Sequence, residues 1–427
     1  MRLQCRSALL LGLLLLLPAP AMATTGFDVD AATRAYLDTL GGAARARSDA
    51  YFEGGYWITL WSALVAILVD FIQLRTDLSA RYRDWAERVT KRKFLQAMLY
   101  ALPYVLVGAL LTLPWTIYTG FIREGQYGLM NQSFGSWAKD ALINLGIGMV
   151  ITAIVLGFLM MGLRRSPRRW WLWGTGFTVI FLALMMLIAP VFIAPLFNSY
   201  TELKPGPVRD RIIAMATANH VPAKHIYVFD QSRQDKRISA NVSGIGPTIR
   251  ISLNDNLLNR TSLAETAAVM GHELGHYVLG HIWRLILAFS LLIGLMLWIA
   301  SHLVRGLIAR YGARWRVRGP DDLAAVPIYA MMLTGLMLLL TPAINTITRM
   351  EESEADAFGL DAAREPDGFA SVAMKLSEYR KIEPTPIEEM LFYDHPSGAT
   401  RVRMAMQWKK DHVPDPQMVT PPSLPKD

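Results

Sequence analysis

A single cysteine, Cys5, occurs in the 427 residues. An internal disulfide framework is therefore excluded, and so is any metal site built on thiolates. Charge is also scarce. Asp, Glu, Lys and Arg make up 18% of the chain, against about 25% in ordinary soluble domains. No internal repeat is visible, and nothing suggests a disordered or collagen-like chain. The net charge of +8 would suit nucleic acid. The arginines, however, sit mostly at the ends of apolar blocks, the signature of membrane topology, so nucleic acid is excluded as a partner. What is present in quantity is apolar: 52% of the residues, gathered in long blocks. The composition fits a multi-span membrane protein with a lipid bilayer as partner and some soluble mass.

The first 23 residues, MRLQCRSALLLGLLLLLPAPAMA, have a basic start at Arg2 and Arg6 and an apolar centre from Ala8 to Leu17. They end on small residues at Ala21-Met22-Ala23. They read as a signal peptide or signal anchor, which delivers residue 24 to the far side of the membrane. Residues 24–54 are expected to form a short, partly helical exoplasmic segment. Six stretches are long enough to span a bilayer, near 55–74, 95–119, 141–163, 170–195, 283–304 and 323–345. Four spans thus fill 55–198 and two fill 282–345. The fourth runs into Pro190 and Pro195, which predicts a broken end. Asp70 is read as an interfacial aspartate. Loop 75–93 carries seven Lys/Arg, 164–169 four and 305–318 five, whereas 123–140 carries Arg123 and Lys139 balanced by Glu124 and Asp140. The positive-inside rule makes the basic loops cytoplasmic, in agreement with the signal sequence.

Two soluble blocks remain. Residues 199–281 predict a mixed α/β unit: a helix around Val208–Asn219, an extended run Ile226–Phe229, a turn at Gly244–Pro247 and a second extended run Thr248–Leu253. Residues 346–412 predict a helical region, and the proline-rich tail 413–427 predicts a disordered end. The fold class is mainly α: a polytopic helical membrane protein carrying a small α/β catalytic cap.

The chemistry is concentrated at His272-Glu273-Leu274-Gly275-His276. On a helix, positions i and i+4 share a face, so both imidazoles reach one ion while Glu273 stands one step round. Two neutral imidazoles suit Zn²⁺, which acidifies bound water, and a neighbouring carboxylate can take the proton. Thr261 or Ser262 is placed to cap the helix, with Glu265 in its first turn. A third ligand is needed. His281 lies about half a turn out of phase at 100° per residue if the helix continues, so it is expected to face away, behind the ligands or at the membrane interface. In the run Glu351-Glu352-Ser353-Glu354-Ala355-Asp356, Glu352 and Asp356 share a face and Glu354 points elsewhere. One of the pair can bind zinc while the other orients a ligand histidine. A solvated acidic helix face is the alternative. Two spans separate His276 from Glu352, which returns both to one side of the membrane.

These residues resemble the type I CAAX prenyl endopeptidases, membrane-embedded zinc proteases, in a bacterial-type form. The likeness runs from about residue 95 onward. It includes GHELGHYVLGH, EESEADAF, LPWTIYTGF at 113–121, IAPLFNSYTEL at 193–203, SGIGPTIRISLNDNLL at 243–258, and His395-Pro396-Ser397 with Arg401. The resemblance implies a gluzincin-like catalytic domain with one zinc ion held by His272, His276 and Glu352. It implies Glu273 as general base and acid, Asp356 behind a ligand histidine, and His395 and Arg401 as stabilisers of the oxyanion. It also implies a substrate-binding edge that includes Ser239, Asn241, Thr248 and Arg250, where an extended peptide would add as a strand. There are departures. One early span of the eukaryotic members is absent, Asn241 is followed by Val242-Ser243 rather than Ala-Tyr, and His-Pro-Ser replaces His-Pro-Pro. They leave the zinc chemistry intact but point away from a prenylated substrate. Losing one span also inverts the site, so the catalytic residues are expected on the periplasmic side of a bacterial inner membrane. The expected activity is hydrolysis of peptide bonds in membrane-associated or exported proteins and peptides. The alternatives are a heat-shock-type quality-control zinc protease and a proteolytically inactive, chaperone-like relative. A transporter lacks support because the spans show no repeat symmetry. The polar stretch from Pro205 to Thr261 argues against a zinc motif inside a span.

Overall fold

The computed structural model describes residues 26–222, 225–244 and 249–422. The signal segment and the end of the tail lie outside these residues. Six helices are long and apolar enough to cross a membrane: Gly42–Arg75, Lys93–Gln126, Phe134–Arg165, Trp170–Leu196, His281–Tyr311 and Leu323–Ala363. Each contains one of the expected stretches. In chain order the helices are α1 (Val29–Leu37), α2 (Gly42–Arg75), α3 (Leu78–Val89), α4 (Lys93–Ile117), the short α5 (Arg123–Gln126), α6 (Phe134–Arg165) and α7 (Trp170–Ile188). After Ile188 the chain widens into a π turn at Ala189–Ile193 and tightens again at Ala194–Leu196. Pro190 and Pro195 bring no N–H to the ladder, which accounts for the broken end.

Large apolar side chains on the spans stay exposed, Leu339 at 76% and Leu142 at 69%. Such faces suit lipid rather than water. Asp70 is buried and accepts a 2.6 Å hydrogen bond from the Tyr104 hydroxyl. The partner on α4 makes burial of this polar group tolerable.

The basic loops gather at one end of the bundle. There Arg83 pairs with Asp322 at 2.6 Å and Arg318 with Glu87 at 3.0 Å, while Arg164 donates to the Lys93 carbonyl at 3.1 Å. The catalytic cap occupies the other end. Its sheet consists of β1 (Tyr200–Glu202), β2 (His225–Phe229), β3 (Ala240–Ser243) and β4 (Arg250–Asn254), in the order β1-β2-β4-β3. Strand β4 runs parallel to β2 and antiparallel to β3. Among the described residues β3 is therefore an edge strand, and its other side is open to pairing.

Helix α8 (Pro207–Ala218), the helix expected around Val208–Asn219, precedes β2, and α9 (Asp255–Arg260) follows β4. Next come α10 (Leu263–Val278), α11 (His281–Tyr311), α12 (Val326–Ala363), α13 (Pro366–Leu376), α14 (Pro386–Phe392) and α15 (Gly398–His412). The inner sheet face (Ile226, Ile251 and Leu253) packs with Met270 and Leu274 of α10. A second core joins α1, α13 and α15 through Leu37, Phe369, Ala370 and Val402. The segment before the first span is thus folded onto the cap, and Ser48 near the start of α2 donates 2.6 Å to the Ser377 carbonyl.

Helix α12 has 38 residues, about 57 Å at 1.5 Å per residue. A bilayer core absorbs about 30 Å. The excess projects beyond the spans, and it carries Glu352 and Asp356 against α10.

Candidate metal centre

Helix α10 begins with a reciprocal cap. Ser262 accepts from the Glu265 N–H at 3.3 Å, and Glu265 accepts from the Ser262 N–H at 2.6 Å. The same carboxylate accepts from Ser371 at 2.5 Å and Lys375 at 2.8 Å, which fastens α10 to α13. Three turns later the helix crosses α12 at very close range. A Cβ built on Gly271 would lie 2.8 Å from the Gly359 carbonyl oxygen, and one on Gly359 would lie 2.8 Å from the His272 nitrogen. Only glycine allows backbones to approach this closely.

That approach assembles the site. His272 and His276 turn their Nε2 atoms toward each other, 3.1 Å apart. Glu352 lies 3.2 Å from His272 Nε2 and 3.5 Å from His276 Nε2. Ligand atoms of His272, His276 and Glu352 all fall within 4.8 Å of one another. The opposite ring nitrogens are occupied. His272 Nδ1 meets Asp356 at 2.8 Å, and His276 Nδ1 meets His281 Nδ1 at 2.9 Å. Asp356 is fully buried and is gripped by Arg401 through Nε at 2.9 Å and Nη2 at 2.5 Å. Buried Glu352 Oε2 has no hydrogen-bond partner. These features fit zinc: proton-bearing Nδ1 atoms held from behind, two Nε2 lone pairs converging, and an orphaned carboxylate oxygen beside them. Burial alone would lower the His272 pKa, but the Asp356 and Glu352 carboxylates overcome it and push the imidazole up to about 10. The same carboxylate field that favours a proton here favours a bound cation.

Glu273 stands in the adjoining cleft of about 280 Å³, whose walls include Ser239, Ala240, His395, Tyr379 and Arg401. Burial pushes its carboxyl above the usual range, and the two histidines restrain the rise only in part. His395 reaches Glu352 through Nε2 at 3.3 Å and is held at Nδ1 by Asp394 at 2.8 Å. The cleft shares Ile238, Ser239, Tyr379 and Arg380 with a larger apolar cavity, about 1010 Å³, between α2, α12 and the cap.

Of the expected substrate edge, Ser239 lines the cleft and Asn241 is exposed on β3. Thr248 lies outside the described residues. Arg250 is not brought to the cleft. Interior strand β4 directs it away, so it donates to the Pro190 carbonyl and stacks 5.1 Å from the Tyr200 ring. His281 stands behind a ligand, one of its two expected places, but reaches it by another route. The phase argument assumed one continuous helix, but α10 stops at Val278, Gly280 adopts φ +69°, and α11 restarts at His281. The break folds His281 back under His276. A glycine two residues past the helix end was the available signal. Glu354 does point outward, to Arg284 at 2.7 Å.

Six membrane-length helices with a converging His-Glu-His-Glu constellation on the cap define a class, the membrane metalloproteases. Comparison with known proteins narrows it. The family model described as peptidase family M48 matches residues 202–409, and that described as the CAAX prenyl protease N-terminal, five membrane helices, matches 38–199. The chain belongs to the CAAX prenyl protease family of M48 metalloproteases. Within 38–199 the described residues hold four membrane-length helices. Relatives include an uncharacterized metalloprotease, YhfN, of Bacillus subtilis, 29% identical with 81% of each chain covered. The human CAAX prenyl protease 1 homolog is 24% identical, with 84% of each covered. The crystal structure of S. mikatae Ste24p superposes with a TM-score of 0.74 at 20% identity, covering 88% of this chain and 96% of that one. The protein is a multi-pass membrane metalloprotease, and neither alternative reading is favoured by these matches.

Proposed function

We propose that the chain is a zinc-dependent endopeptidase cleaving membrane-associated or exported polypeptides, with its catalytic cap on the exoplasmic side, the periplasm in a bacterial cell. The observation that carries the chemistry is the convergence of His272, His276 and Glu352, with Glu273 beside them in a cleft. His272, His276 and Glu352 hold the ion. Zinc, when bound, supplies a Lewis acid for the peptide carbonyl and for the attacking water.

The chain's own groups do the rest. Glu273 accepts the proton of the attacking water and returns it to the departing amine, a role suited to a carboxyl whose pKa burial has raised. His395 Nε2 faces the cleft as a donor to the developing oxyanion. Arg401 spends Nε and Nη2 on Asp356 but also lines the cleft, and the role assigned to its remaining N–H groups is donation to the same oxygen. Open strand β3, with Ser239 at its entrance and Asn241 along it, pairs with an extended substrate backbone. The apolar cavity beside the cleft suits an apolar segment arriving from the bilayer.

For sidedness, support comes from the basic loops gathering at the end opposite the cap, where the positive-inside rule places the cytoplasm. Cleavage of an extended peptide by purified protein, abolished by a chelator and restored by zinc, is the expected result. Glu273→Gln should retain zinc and lose roughly 10²-fold or more in rate. Full activity in Glu273→Gln would overturn the assignment.

A further inference from the structure

Both ligand imidazoles are backed, but by different means. Behind His272 stands Asp356, itself gripped by Arg401. Behind His276 stands another imidazole, His281, 2.9 Å away at Nδ1 to Nδ1 and only 1% exposed. Beyond it lie Glu351, 3.1 Å from His281 Nε2, and Glu354, 3.4 Å from it. Arg284 holds both carboxylates, Glu351 at 3.1 Å and Glu354 at 2.7 Å.

The proton bookkeeping admits one arrangement. On the functional reading above, His276 offers Nε2 to the ion, so its proton sits on Nδ1. Two N–H groups cannot face each other at 2.9 Å, so His281 Nδ1 must be the acceptor. The proton of His281 is then on Nε2, between two carboxylates. Neither contact is well aligned, since His281 Nε2 and Glu351 Oε2 both lack a directed hydrogen-bond partner. The clamp is electrostatic and shared between two carboxylates.

We propose that His281 is the positioning residue of His276. It fixes the tautomer and ring orientation of that ligand through a carboxylate–histidine–histidine chain ending at Glu351, Glu354 and Arg284. This inference rests on the zinc reading and adds a residue to it.

His281, Glu351 and Glu354 are also grouped closely enough to hold a cation of their own. The two uses exclude each other. A cation on His281 Nε2 would need that lone pair and would move the proton to Nδ1, against the N–H of His276. The Arg284 guanidinium already stands on Glu351 Oε1 and on both Glu354 oxygens, including the one that faces His281. Of the two groups, His272 with His276 and Glu352, and His281 with Glu351 and Glu354, only the first is therefore built for an ion.

The test is zinc stoichiometry and affinity, measured on the detergent-solubilised full chain by competition with a chromogenic chelator. Wild type should bind one zinc. His281→Ala should weaken it by about 10–100-fold, the usual cost of losing a group that orients a ligand. His281→Asn should recover most of that loss, because an amide oxygen can occupy the position of Nδ1 and accept the same proton. Glu351→Gln should weaken binding less than His281→Ala, since Glu354 remains. Thermal unfolding of the zinc-free forms monitors folding, and Asn and Gln keep the comparison usable should Ala unfold the turn. Unchanged affinity in His281→Ala would overturn the positioning role. So would a second zinc in wild type that disappears in His281→Ala while the first stays tight. A wild type that binds no zinc would overturn the functional reading itself.

Discussion

Replacing Gly359 by alanine changes no candidate ligand, yet it should cost the site its metal. The added Cβ would lie 2.8 Å from the His272 backbone nitrogen and 3.0 Å from its Cα. Ordinary contact begins near 3.4 Å, so the helices must separate by about 0.6 Å to restore normal packing. Both neighbours are backbone atoms of a packed helix and cannot swing aside. Zinc ligand distances hold to within about ±0.2 Å. The required shift is therefore several times what the centre can absorb, and it acts directly between His272 on one helix and Glu352 and Asp356 on the other. Alanine gains about 1 kcal/mol of helix propensity over glycine, whereas overpacking a core costs about 1–3 kcal/mol, so the net stability change should be small. The signature is thus a large fall in zinc affinity with a modest shift in melting temperature. Gly335→Ala, on the same helix with nothing within 4 Å, is the control and should bind zinc as wild type does. Chelator competition on the purified variants measures the effect. Wild-type affinity in Gly359→Ala would refute the claim that the helix crossing sets the ligand geometry.

Three further outcomes are expected. Glu352→Ala should lose most of its zinc and Glu354→Ala should retain it, since Glu354 touches no ligand directly and Glu351 still faces His281. Equal metal content would mean the third ligand is misplaced. Glu265→Gln should destabilise the cap by roughly 1.5–3 kcal/mol at neutral pH, the range for buried hydrogen bonds to a charged group. Burial opposes ionisation of Glu265, but Lys375, Ser371 and the Ser262 N–H hold its folded-state pKa below the ordinary 4.5. Its contribution is therefore complete above about pH 4.5 and lost as the pH falls below that value. The gap in melting temperature between wild type and Glu265→Gln should close in acid, and a gap that widens would contradict the pairing. Phosphatase and fluorescent-protein fusions at Ser232 and Pro414 should both report the exoplasmic side, whereas fluorescence without phosphatase activity at both would put the cap in the cytoplasm.

The spans were legible because lipid imposes a length and a composition that few other structures satisfy. The break after the fourth was legible from two prolines. The 272–276 motif and the 352/356 pair were legible because helical phase is arithmetic. Where phase reasoning met an unrecognised chain reversal it put His281 behind the ligands on a false premise, since one αL glycine at 280 cancels any angle counted through it. Arg250 was assigned to the substrate edge by resemblance, but whether a strand is interior or edge depends on pairing order, and β1-β2-β4-β3 is not written locally. Tyr200–Glu202 is too short to announce itself as a strand. The close crossing at Gly271 and Gly359 is a relation between residues 88 apart, and neither glycine looks unusual where it stands.

Anomalous scattering at the zinc edge, from crystals of the full chain purified with zinc, addresses the central claim most directly. One peak is expected, about 2.0–2.2 Å from His272 Nε2, His276 Nε2 and a Glu352 oxygen, with His281 behind His276 and no density between His281 and Glu351. A peak bounded by His281, Glu351 and Glu354 instead, or no peak beside His272 and His276, would contradict the account.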